Sequence, residues 1–174
     1  MKKHVTVVVG VGLAAALGVL VSASGARDQS NNAKATLDGF QENPSLSTTG
    51  QGALDLRIDD ETQTIEYELS YGDLEGVAPF VAGGVVSASH IHVGARGVNG
   101  GVSAFLCGGG GKPACPLSGT VTGTIVAADV AGPAAQGVEA GSFAELVRAI
   151  RAGYTYANVH TTRWPGGEIR GQIK

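Results

Sequence analysis

The chain has little of what announces a common chemistry. It holds two cysteines, and neither ends the N-terminal leader, which excludes lipid attachment by that route. There is no Gly-x-Ser-x-Gly elbow, and no cysteine stands beside a histidine as a free nucleophile, so the usual acyl-transfer groups are missing. Paired carboxylates such as Asp59-Asp60 fall in a turn, which leaves glycosidase chemistry without support. The glycine-rich stretch from Gly94 to Gly101 follows no phosphate-binding signature and precedes no helix, which excludes nucleotide binding. After the leader no run is apolar enough to span a bilayer. Histidine is also scarce: beyond His4 in the leader, the chain has only His90, His92 and His160.

Residues 1–26 read as a secretory signal peptide. Lys2 and Lys3 give a basic start, an apolar run follows from Val5 to about Val21, and Ser22-Ala23-Ser24-Gly25-Ala26 supplies small residues for cleavage after Ala23 or Ala26. The run is long for a leader core, so a retained membrane anchor is the alternative. Cleavage after Ala26 leaves a short linker, 27–33, and one domain, 34–174, with no stable membrane insertion. Losing Lys2 and Lys3 leaves an acidic excess, which excludes nucleic acid or an anionic membrane as the main partner. The expected location is secreted, periplasmic or cell-surface; the oligomeric state is left open.

Cys107 and Cys115 flank Gly108-Gly109-Gly110-Gly111-Lys112-Pro113-Ala114. An even count in an exported chain predicts a disulfide, with a cysteine metal site as the alternative.

Glycine, 28 of 174 residues, breaks helices and makes turns. Leu54, Leu56 and Ile58 alternate with Asp55 and Arg57, and Ile65, Tyr67, Leu69 and Tyr71 alternate with Glu66, Glu68 and Ser70. Residues 52–71 therefore read as a hairpin turning at 59–63. Further strands are expected near 33–39, 86–93, 101–106, 118–126, 154–161 and 167–173. The fold class is all-β: a Greek-key-like antiparallel β-sandwich or barrel of about eight strands, with one short helix near 142–152. That helix is predicted from a Ser142-x-x-Glu145 capping box, an apolar face of Phe143, Leu146, Val147 and Ile150, and Gly153 as its stop. Residues 127–141 read as a surface loop containing a short helical turn.

His90 and His92 stand two apart, so on a strand they share a face, roughly 6.6 Å apart. Val159 points opposite to Tyr156, Asn158 and His160; Ile169 and Ile173 point opposite to Glu168, Arg170 and Gln172. Every histidine after the leader thus falls on the polar side of a strand. A solvent-facing sheet side gives the same alternation, and a hydrogen-bonded structural pair is the other reading of His90 and His92. As ligands, three neutral imidazoles suit copper, with zinc as the alternative. Three protein ligands and an open position match catalytic sites better than closed structural ones. His160 can join the pair only if its strand lies next to, or one removed from, that of His90. No fourth ligand is obvious; Glu168, Asn158 or water could serve, and Asn158 and Glu168 are also the candidates to orient the rings. Arg170, ahead of Arg163 and Arg96, is the candidate to guide a small anion to the ion. For Glu168 and Arg170, cross-strand pairing is the first expected use and the site role the second. Trp164 is expected to cover a loop.

Several blocks carry a family resemblance. Thr36-Leu37-Asp38-Gly39-Phe40-Gln41-Glu42-Asn43-Pro44, Ser89-His90-Ile91-His92-Val93-Gly94 with Gly97-Val98-Asn99-Gly100, Ser118-Gly119-Thr120, and Tyr156-Ala157-Asn158-Val159-His160-Thr161 with Pro165-Gly166-Gly167-Glu168-Ile169-Arg170-Gly171-Gln172 resemble the CHRD (chordin-type) domain. The resemblance spans about 34–173. It departs at Ser89, where an alanine is usual, at Ser45, where a second proline is frequent, and in a long 127–152 segment. It implies a stand-alone secreted bacterial-type module. The histidine blocks also resemble the copper-binding strands of copper/zinc superoxide dismutase, which implies superoxide as a substrate. The alternative is a non-enzymatic extracytoplasmic protein-binding or structural module without metal.

Overall fold

The structure is a computed structural model that describes residues 1–2 and 31–174. The apolar run of the leader, both cleavage points and most of the linker lie outside the described residues. Among the described residues, no helix is long and apolar enough to cross a membrane.

Eight strands form where alternation predicted them: β1 Asn32–Asp38, β2 Gln51–Asp59, β3 Thr64–Gly72, β4 Val86–Val93, β5 Val102–Cys107, β6 Gly119–Ile125, β7 Thr155–Thr161 and β8 Ile169–Gln172. They make one antiparallel sheet in the order β5-β4-β7-β8-β1-β2-β3-β6. The chain runs β1-β2-β3 as a meander, crosses to the β4-β5 hairpin at one edge, returns to β6 at the other, and ends with β7 and β8 in the middle. This Greek-key-like path curls the sheet into a nearly closed barrel. Two hydroxyls of β3 reach across the gap between the edges. Tyr67 donates to the Leu106 carbonyl at 2.8 Å, and Tyr71 donates to the Pro116 carbonyl at 2.8 Å. The Cys107–Cys115 disulfide pins the β5–β6 connection at this seam, so neither thiol is free to bind metal.

Inward positions of the strands fill the core, with Leu37, Leu54, Leu69, Ile91, Val159 and Ile169 all fully buried. The one α-helix among the described residues, α1 Phe143–Arg151, buries the predicted Phe143, Leu146, Val147 and Ile150 in the same core. Gly153, with φ of 74°, ends it as expected, and the Tyr154 N–H closes back on Ala149. The helix start differs from the prediction. Ser142 makes no side-chain cap, because its ψ of 73° is not the extended conformation a cap requires, and Glu145 pairs with Arg148 instead. The 127–141 segment carries two 3₁₀ turns, Ala127–Asp129 and Ala134–Gln136, and anchors itself through buried Val130 and Val138.

The solvent-facing alternative for the polar strand faces fails in a way that matters for the site. The polar faces of β4, β7 and β8 do not lie open to solvent. Every residue of β7 is buried, and Arg170 is only 1% exposed. The 94–101 loop and the segment around Glu42 cover this outer face, as their hydrogen bonds show.

Candidate metal centre

β4 and β7 are direct neighbours, which meets the condition for His160 to join the pair. The register sets His90 opposite Asn158, His92 opposite Tyr156, and His160 opposite Ala88. Register shifts on the β5 side, at Ser89/His90 and Ile91/His92, fall immediately before each of the two β4 histidines, and irregularities of this kind re-aim side chains. The ring centroids lie 4.6 Å (His90–His160), 5.1 Å (His90–His92) and 6.3 Å (His92–His160) apart. One ring nitrogen from each residue falls within 4.8 Å of the others. The rings are 8–9% exposed.

Backbone carbonyls select the tautomers. The Nδ1 of His92 lies 3.0 Å from the Gly100 carbonyl and that of His160 lies 2.9 Å from the Pro165 carbonyl. A carbonyl only accepts, so each ring keeps its proton on Nδ1 and turns an Nε2 lone pair toward the cluster. His90 Nδ1 is 3.1 Å from His92 Nε2 and donates to it, so the structural pair also exists. The carbonyl at Gly100 is placed by close packing: a Cβ there would lie 1.6 Å from the Val93 carbonyl oxygen, and the Gly100 N–H donates to the Tyr156 hydroxyl at 3.1 Å.

Burial is the first cause that lowers all three imidazoles below their ordinary value. His90 is pushed down to about 3, with the neighbouring His160 and His92 as further causes. The rings are therefore neutral near pH 7, and a metal ion would displace the His90–His92 hydrogen bond to reach both nitrogens. In the unfolded chain they take protons near pH 6.5, while the folded rings resist, so acid favours unfolding. The domain without metal is expected to lose stability as pH falls from 7 toward 4. The His90→Asn variant should show a shallower slope, by up to about 1.4 kcal/mol per pH unit. Equal slopes in thermal melts of the two proteins would contradict this.

The model of the CHRD domain family matches residues 33–173. The chain belongs to the CHRD domain family. No curated protein and no solved structure matches it.

Within this CHRD domain, the residues expected around the histidines part company. Asn158 is brought to them: its Oδ1 lies 2.9 Å from His160 Nε2. Glu168 is not. Its carboxylate turns to the other side of the sheet and accepts from the Thr48 hydroxyl (2.8 Å), the Glu75 N–H (2.6 Å), the Gly76 N–H (3.0 Å) and the Thr161 hydroxyl (2.9 Å). It sits one residue before β8, where the strand alternation that was to carry it toward the rings has not begun. Arg170 is near the site, but its guanidinium is turned to the 94–101 loop. Its guanidinium donates to Asn99 Oδ1 (3.0 Å) and to the Val98 and Ala95 carbonyls (2.8 and 3.3 Å), and lies 3.4 Å from the centroid of Tyr156. Tyr156 in turn stacks on His92 at 4.7 Å. Buried and fully engaged, Arg170 holds the loop that holds His92. Of the weaker candidates, Arg96 donates to Gln41, and Arg163 lies over the half-buried Trp164.

Sequence reasoning missed Glu42 as a site residue. This carboxylate is 7% exposed, its Oε1 has no hydrogen-bond partner, and burial pushes it up to about 7, against opposing influences from Arg170, the Asn43 N–H and the Asn158 amide. It lies in a loop, where no periodicity marks it. The only available signal was its place in the Thr36–Pro44 block.

Proposed function

We propose that this CHRD domain is an extracytoplasmic metal-binding protein that holds copper, with zinc as the alternative, on His90, His92 and His160. The observation that carries the reading is the set of inward nitrogens, two of them fixed in tautomer by backbone carbonyls. Orienting contacts of this kind are what ligating histidines require. Imidazole sites favour copper over zinc in intrinsic affinity. Export supports the reading through the Cys107–Cys115 disulfide, a bond that persists in oxidising compartments. Bound copper would supply two oxidation states; the chain supplies neutral donors and a largely water-excluded pocket. A free cation would speed superoxide dismutation by drawing in the anion, and Arg170 is engaged elsewhere. Binding, more than turnover, is what the geometry supports.

Thermal melts with and without metal test this. Copper(II) or zinc at about 100 times its dissociation constant should stabilise the wild type by about 2.7 kcal/mol. The His90→Ala/His92→Ala variant should show no such gain. If neither ion shifts the wild type, the module without metal becomes the better reading.

A further inference from the structure

We infer that Asn158 is a fourth donor of the metal site, through its side-chain oxygen, and that Glu42 is the positioning residue that aims it. The inference rests on the metal reading above.

Two oxygens face one ring. His160 meets the Pro165 carbonyl at Nδ1 and Asn158 Oδ1 at Nε2, each at 2.9 Å. A neutral imidazole has one N–H, so it can donate to one of these acceptors only. The carbonyl at Pro165 belongs to the backbone and cannot turn away. Asn158 Oδ1 therefore stands against a bare nitrogen lone pair. Two lone pairs at this distance repel, unless a cation sits where both point. This is how two ligands of one ion are arranged, and it differs from a hydrogen bond.

The amide could relieve the repulsion by turning over to present its NH₂ to His160. Glu42 opposes that. A Cβ built on Gly167 would fall 2.2 Å from Glu42 Oε1 and 2.9 Å from Asn158 Nδ2, so both groups crowd the same glycine Cα. The amide NH₂ therefore lies on the side of the Glu42 carboxylate, whose buried Oε1 has no other partner. Turning over would set Oδ1 against that carboxylate. Gly167, with φ of 126°, leaves the room that a larger residue would fill. Neither Glu42 nor Gly167 touches the rings; they act through Asn158.

His90, His92 and His160 with Asn158 make a set of three nitrogens and one oxygen, all from the adjacent strands β4 and β7. An amide oxygen is a harder donor than imidazole, so the set suits the divalent ion. It also changes the character of the site: four protein donors hold an ion more completely than three and leave less of it open to a substrate.

The test uses the full untagged chain titrated with copper(II), with affinity by competition and coordination by electron paramagnetic resonance. Asn158→Ala and the nearly isosteric Asn158→Leu should each bind copper about 10–100-fold more weakly. Both should keep three-nitrogen coupling while the copper hyperfine splitting shifts as water replaces the amide. Glu42→Leu should reproduce the loss, whereas Glu42→Gln, which keeps an acceptor for the amide, should restore most of it. Melting of each variant without metal guards against a folding defect, and the isosteric variant carries the test if Asn158→Ala is unfolded. Wild-type affinity and splitting in both Asn158 variants would overturn the fourth donor while leaving the three-histidine site standing. Unchanged behaviour of Glu42→Leu would overturn the positioning role. No copper bound by wild type would overturn both the inference and the reading beneath it.

Discussion

Arg170→Ala is expected to be among the most destabilising single substitutions in the domain, by roughly 3–5 kcal/mol. The guanidinium is 1% exposed, and three oxygens of the 94–101 loop, two of them backbone carbonyls, depend on it. Removing it leaves those acceptors without their donor beneath a cavity. A desolvated cation–π contact with Tyr156 goes too, a loss of about 2 kcal/mol in its own right. Lysine should not rescue it, since a single ammonium cannot reproduce a planar fork that bonds three acceptors while lying on a ring. The consequence reaches the metal centre, because the same loop carries the Gly100 carbonyl that fixes His92. Denaturant midpoints measure the effect, and a change below about 1 kcal/mol would show that the loop does not depend on Arg170.

Glu168→Ala should cost a comparable amount, about 3–5 kcal/mol, through a different set of contacts. Four donors converge on this fully buried carboxylate, two of them the backbone N–H groups of Glu75 and Gly76. Truncation strands those donors in the interior, each at about 1–3 kcal/mol. Glu168→Gln keeps the volume but aims an NH₂ at a donor, so an intermediate loss is expected. Because Glu168 faces away from the rings, copper affinity in a folded Glu168→Gln protein should match wild type. A clear fall would place Glu168 back at the site.

These two residues mark where the sequence stopped being legible. Strand alternation located β2, β3, β4 and β7 because a buried apolar face repeats every second residue. It put His90, His92 and His160 on one side of their strands for the same reason. Pairing of β4 with β7 depends on contacts remote in sequence, so the meeting of the three rings was a condition and not a result. Alternation also labels a face polar without saying what lies over it. Both uses expected of Arg170, anion guide and cross-strand pair, leave out the 94–101 loop, because nothing local marks that loop as its cover. Glu168 was misplaced by extending the period of β8 one residue past the strand. Glu42 reaches the site from a loop, and the Ser142 cap failed on a backbone angle; neither follows a periodicity.

The central claim is that three histidines bind a metal ion, and its most direct measurement is copper content after loading and desalting of untagged protein. Wild type should retain about one equivalent, with spectroscopic coupling to imidazole nitrogen, and the His90→Ala/His92→Ala variant should retain almost none. Copper absent from the wild type, or held equally by both proteins, would contradict it.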